Sequence, residues 1–183
     1  MKASDFFSLP NLLCYLRIIL IPFFVYNYII VDNYEGAIIT LIIMELSDFL
    51  DGFIARKFNL ITDWGKIIDP VADKLLQLSL LVVLAYNFKF AVSVLMLFIV
   101  KEVISGILAL WSIKRSKIVE GARFWGKIAT VVFYLSALFL VLFPNTNENL
   151  ANGLLFITAL FLLFAFIKYS IFFISIIINH KKK

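Results

Sequence analysis

The sequence predicts an all-α integral membrane protein of six transmembrane helices, with both termini in the cytoplasm. Three observations carry this. The first is bulk composition: of 183 residues, 63% are hydrophobic and 16% charged, and mean hydropathy is +1.00. A soluble domain holds about 45–50% apolar and about 25% charged residues, and a small globule needs a polar surface that this chain cannot supply. The second is six apolar runs near the ~20 residues that cross a hydrocarbon core. The third is the placement of Lys and Arg, which alternates from break to break.

The spans fall at 11–31, 36–55, 67–87, 90–113, 127–143 and 150–178, separated by turn and charge signals. Val31–Gly36, Arg56–Lys66, Asn87–Lys89, Lys114–Gly126 and Pro144–Asn149 form the breaks. The last span is long enough to tilt or project. The breaks after spans one, three and five contain Lys89 as their only basic residue. The N-terminus, the other two breaks and the C-terminus hold Arg56, Lys57, Lys66, Lys114, Arg115 and Lys117 among others. The positive-inside rule then sets both ends in the cytoplasm, as an even number of spans requires. The first run reads as a retained helix, because it is long, contains Arg17 and lacks a small-residue cleavage site. Asp5–Leu9, with Phe6, Phe7 and Leu9, reads as a short interfacial helix. No repeat or linker interrupts the chain, so residues 1–183 are expected to form one membrane domain.

Several function classes are excluded early. Twenty Phe with only seven Gly and four Pro do not describe a disordered or fibrous chain. Cys14 is the only cysteine and His180 the only histidine, so neither an internal disulfide nor a zinc cluster is expected. The net charge of +5 is scattered among apolar spans. It reads as topology and anionic-lipid contact rather than nucleic-acid binding.

Ionisable groups inside a membrane cost about 2.5–3.5 kcal/mol each on insertion scales, and they mark function by default. Asp48 and Asp51 end the second span; Asp69 and Asp73 begin the third. Spacings of three and four put each pair on one helical face, roughly 60° and 40° apart around the axis. Two consecutive antiparallel helices thus converge four carboxylates near the cytoplasmic leaflet. So many carboxylates cannot all stay ionised without cations. All-oxygen ligands suit a hard divalent ion, Mg²⁺ or Mn²⁺, and four of them suit two ions. Such sites commonly serve phosphoryl transfer. Helix caps or lysine pairs are the plainer alternative. Gly52, Ala55 and Gly65 leave little bulk beside these carboxylates, so a phosphate can approach, and Arg56 is a planar donor suited to phosphate.

Residues 48–73 read DFLDGFIARKFNLITDWGKIIDPVAD. They match the signature D-x2-D-G-x2-A-R-x8-G-x3-D-x3-D of the CDP-alcohol phosphatidyltransferase family at all eight fixed positions over 26 residues. The opening LPNLLCYLRIILIPFF also resembles that family's first helix. The resemblance implies a multi-pass cell-membrane enzyme of phospholipid biosynthesis, a homodimer that uses CDP-diacylglycerol and releases CMP at the cytoplasmic leaflet. It implies metal binding by Asp48, Asp51, Asp69 and Asp73, with Asp73 as the base that deprotonates the acceptor hydroxyl. It places the cytidine diphosphate at Gly52, Arg56, Thr62 and Asn11. Cys14 stands where the family usually has Thr or Ser, which removes one strong hydrogen-bonding group.

Within the family the sequence is most similar to bacterial phosphatidylglycerophosphate synthases, which implies glycerol 3-phosphate as acceptor. Lys101, Arg123 and Lys127 are the candidate cations for its phosphate. Lys101 can instead pair with Glu102 or Glu45, and Arg123 and Lys127 can be ordinary cytoplasmic-side anchors. Glu45 is either a partner for an intramembrane cation such as Arg17 or a tuner of the site. Ala109 and Ala129 stand where those synthases usually carry a further Arg and Lys, which keeps a cardiolipin synthase, with phosphatidylglycerol as acceptor, as the alternative. A small cation transporter built on the aspartates is the alternative from another class. Spans five and six offer it almost no polar path, with Lys168 the one charge inside span six.

Overall fold

The computed structural model describes residues 6–116 and 124–179. Among them are six α-helices: α1 Leu9–Ile29, α2 Tyr34–Lys57, α3 Gly65–Asn87, α4 Lys89–Ser116, α5 Phe124–Leu142 and α6 Glu148–Asn179. Each expected span has its helix. The expected interfacial helix begins among residues outside those described. Just past them, the Phe6 ring packs on Trp64, with centroids 4.8 Å apart.

Four of the helices, α1, α4, α5 and α6, are long and apolar enough to cross a membrane. The other two carry the acidic residues, which lowers their hydropathy without shortening them. At 1.5 Å per residue, α2 and α3 each run roughly 35 Å. Large apolar side chains point outward all along the helices: Leu110 is 70% and Leu135 67% exposed. In water such faces would associate; against lipid tails they cost nothing.

The chain divides into two compact units, Met1–Tyr86 and Asn87–Lys183. In the first, α1 and α2 pack together across a tight turn. Asp32 in that turn takes a left-handed φ of 54°, and Asn33 caps α2 by accepting a bond from the Gly36 amide at 3.0 Å. Phe24, Tyr28, Leu41, Met44, Leu76 and Leu80 are buried in this unit. Helix α2 is capped by Phe58. Next, Asn59 adopts φ 52°, and the Leu60 amide donates to the Ala55 carbonyl at 3.0 Å. This is a Schellman ending, with Asn in the place glycine usually takes. Three residues after Asn59, Thr62 turns the chain into α3, its hydroxyl accepting from the Gly65 amide at 2.9 Å.

In the second unit α4 and α5 each pack on α6. Ala91, Ala137, Ala151 and Ala165 are fully buried there, and small residues let membrane helices approach closely. Phe98 and Phe133 stack with centroids 6.3 Å apart. Gly126 lies directly against the Tyr169 ring, in space a Cβ would need. The ammonium of Lys168 sits over Trp125 and Phe164, 5.3 and 5.6 Å from the ring centres, which gives an intramembrane charge two aromatic faces.

Candidate functional site

Three helices of the first unit build one polar cluster. The last turns of α2 present Asp48 and Asp51, and the first turns of α3 present Asp69 and Asp73. The carboxylates converge on one guanidinium, that of Arg17 from α1. Its Nη2 lies 2.6 Å from Asp48 Oδ1 and 2.6 Å from Asp51 Oδ2. Its Nη1 lies 2.8 Å from Asp73 Oδ1 and 3.8 Å from Asp69 Oδ1. Arg17 is wholly buried, and its Nε has no hydrogen-bond partner among the described residues.

The four carboxylates are not equivalent. Asp48, Asp69 and Asp73 keep 42–49% of their side-chain surface open, whereas Asp51 keeps 6%. Oxygens from the three open residues lie within 4.8 Å of one another. That all-carboxylate donor set fits a hard divalent cation. Asp51 instead accepts from the Cys14 thiol, at 3.3 Å, as well as from Arg17. Cys14, Asp51 and Asp69 form a second group of the same tightness, with a sulfur among its donors.

Beside the carboxylates lies a cavity of about 200 Å³. All four residues expected to hold the cytidine diphosphate line it: Asn11, Gly52, Arg56 and Thr62. Asn11 Nδ2 donates to Thr62 Oγ1 at 3.1 Å, so the start of α1 is tied to the turn before α3. A Cβ on Gly65 would stand 2.8 Å from Asn11 Oδ1 and 3.0 Å from Thr62 Oγ1, so only glycine leaves this junction undisturbed. Exposed Arg56 folds back across Gly52, where a Cβ would meet its Nη1 at 3.4 Å. At the cavity edge, Lys66 bonds Asp63 at 2.8 Å and holds that exposed carboxyl below its ordinary range. Trp64 Nε1 donates to the Tyr15 hydroxyl at 2.5 Å, a second tie between this turn and α1.

The candidate acceptor residues belong to the second unit. Lys101 on α4 pairs with its neighbour Glu102 and lies 5.6 Å from the Phe98 ring centre. Lys127, in the first turn of α5, is exposed. Arg123 lies outside the described residues. Glu45 forms no ion pair with Arg17, and among the described residues its buried Oε1 has no hydrogen-bond partner.

Arg17 is the residue whose place the sequence did not disclose. Its partners lie 31 to 56 positions away, beyond any local pattern. The usable signal was its register: Asn11, Cys14 and Arg17 recur every three residues along one side of α1, and all three are buried.

A family model described as CDP-alcohol phosphatidyltransferase matches residues 7–177. The chain is 31% identical over 170 residues to an Aquifex aeolicus protein, covering 90% of this chain and 94% of that one. It is 34% identical over 171 residues to a Haemophilus influenzae protein, with 89% and 91% covered. A Salmonella paratyphi A protein is 31% identical over 169 residues, with 89% and 93% covered. All three carry the name CDP-diacylglycerol--glycerol-3-phosphate 3-phosphatidyltransferase. A match running through all six helices, with every signature residue in place around one cluster and its cavity, makes this chain a member of the CDP-alcohol phosphatidyltransferase family.

Proposed function

We propose that the protein transfers the phosphatidyl group of CDP-diacylglycerol to glycerol 3-phosphate, releasing CMP. The observation that carries the reading is the placement of the four signature aspartates beside a cavity lined by Asn11, Gly52, Arg56 and Thr62. The acceptor follows from relatives of nearly the same length that bear that enzyme name.

The donor's diphosphate enters the cavity, where Arg56 offers a permanent charge and a planar set of donors. Asn11 and Thr62 hold the cytidine side, and Gly52 lets the diphosphate lie close to α2. Asp48, Asp69 and Asp73 would hold a divalent metal ion, Mg²⁺ or Mn²⁺, and Asp51 would serve a second. When bound, such ions would supply Lewis-acid stabilisation of negative charge on the phosphoryl oxygens and the CMP leaving group. The acceptor hydroxyl attacks the lipid-side phosphorus in line. Asp73 takes its proton as the new P–O bond forms and the bond to CMP breaks. Lys101, Arg123 and Lys127 supply the cations that a phosphate-bearing acceptor requires.

The same reading takes residues 1–183 as one catalytic domain of a homodimer, with α2 and α3 crossing the cell membrane alongside the four more apolar helices. Both termini and the aspartates then face the cytoplasm, where CDP-linked lipid meets a water-soluble acceptor.

The test is CMP release by purified protein with CDP-diacylglycerol and Mg²⁺ or Mn²⁺, offering one acceptor at a time. Release with glycerol 3-phosphate, giving phosphatidylglycerophosphate, is the expected result. Release with phosphatidylglycerol alone would reassign the protein as a cardiolipin synthase and give weight to Ala109 and Ala129.

A further inference from the structure

A guanidinium with no solvent contact, ringed by four carboxylates, is an unusual use of an arginine. Its fork spends Nη2 on Asp48 and Asp51 and Nη1 on Asp73, so it joins α1 to both acidic helices at once. The three open carboxylates it touches or approaches are the donor set that fits a divalent ion. Arg17 and that ion therefore draw on the same three carboxylates. Two further facts bear on where the arginine goes if it yields them. Its Nε is buried and unpartnered, and so is Oε1 of Glu45, one turn before Asp48. A buried charge is costly without a partner, and Glu45 is an acidic group within electrostatic reach of Arg17.

We propose that Arg17 is the stand-in cation of the aspartate cluster. It holds the four carboxylates in register before metal arrives, and it gives up its share of their oxygens, turning toward Glu45, when metal binds. Arg17 is thus a positioning residue. The inference rests on metal binding at these aspartates, and it adds that the chain itself opposes and prepares for that binding.

Competition and simple support predict opposite signs. If Arg17 only buttressed the site, removing it would loosen the carboxylates and weaken metal binding. If it competes, Arg17→Gln binds Mn²⁺ more tightly. The experiment measures Mn²⁺ affinity by electron paramagnetic resonance, together with melting temperature in EDTA and in Mg²⁺. Wild type, Arg17→Gln, Arg17→Lys and Glu45→Gln are compared in detergent or nanodiscs. We expect Arg17→Gln to bind Mn²⁺ at least tenfold more tightly. Its melting temperature should fall in EDTA and recover with Mg²⁺, a larger metal response than wild type shows. Glu45→Gln, which removes the refuge, should bind Mn²⁺ severalfold more weakly. Arg17→Lys keeps the charge but cannot span three carboxylates, so it too should melt lower in EDTA and recover with Mg²⁺. It decides the question should Arg17→Gln fail to fold. Unchanged or weaker Mn²⁺ binding by Arg17→Gln, or a metal response in Arg17→Lys equal to wild type, would overturn the proposal. In either case, wild-type Mn²⁺ binding would leave the metal reading standing. Absence of Mn²⁺ binding in wild type and variants alike would remove the metal reading itself, and this inference with it.

Discussion

At the scale of single residues, the candidate site separates into groups that open outward and groups that hold them. Asp73 is half-open, as a base that must meet a hydroxyl needs to be, and in the absence of metal it is held by Arg17 at 2.8 Å. Asp73→Asn keeps the shape and loses the basicity, so CMP release should fall by about 10²–10⁴-fold, while CDP-diacylglycerol still binds; both are measurable on one preparation. Gly65 governs a different property. Its alanine variant presses on Asn11 and Thr62, so the KM for CDP-diacylglycerol should rise roughly tenfold, about 1.4 kcal/mol, with the melting temperature little changed. The sequence disclosed both residues, because each occupies a fixed position of an eight-residue signature. Arg17 was legible as a charge in an apolar run, in register with Asn11 and Cys14. Its role depends on carboxylates brought to it from two other helices, and no spacing on α1 encodes that. Lys101 shows the converse: the plain alternative of pairing with Glu102 is the contact that forms.

At the scale of elements, helices were easy to read and their endings less so. Long apolar runs bounded by charge and turn residues gave each helix to within a few residues, since a backbone in lipid must satisfy its own hydrogen bonds. The turn from α2 to α3 is different, because it depends on Asn59 in a left-handed conformation and on the Thr62 hydroxyl at the head of α3. Neither choice is dictated by hydropathy. Replacing Asn59 with alanine should cost about 1 kcal/mol, and glycine there should be neutral within a few tenths. Unfolding in mixed detergent would measure both. The turn also sets where Thr62 stands against Asn11, so the alanine variant should weaken donor binding in proportion to its lost stability.

At the scale of the whole molecule, composition declared a membrane protein, and the helices fit that with apolar faces turned outward. Two helices, α2 and α3, fall short of the others in hydropathy because they carry the acidic cluster; catalysis and insertion make opposite demands on them. The orientation read from Lys and Arg can be tested with single cysteines in a Cys14→Ser background. Asp63→Cys, in the turn before α3, should react with an impermeant maleimide only when the cytoplasmic face is open. Asn145→Cys, between α5 and α6, should react from the outer face of intact cells. The reverse pattern would invert the topology.

The contact of Arg17 with both acidic helices also bears on how the protein enters its membrane. Segments leave the ribosome in order, so α1 emerges carrying an arginine that alone costs about 2.5–3.5 kcal/mol at a bilayer centre. Asp48 and Asp51 arrive with α2, and Asp69 and Asp73 only with α3. Helix α1 is apolar enough to cross by itself, but its arginine has no carboxylate partner until α2 and α3 reach it. The first unit is therefore expected to settle only once all three helices have been made. Truncation after α2 should leave a chain that the quality-control proteases recognise and degrade.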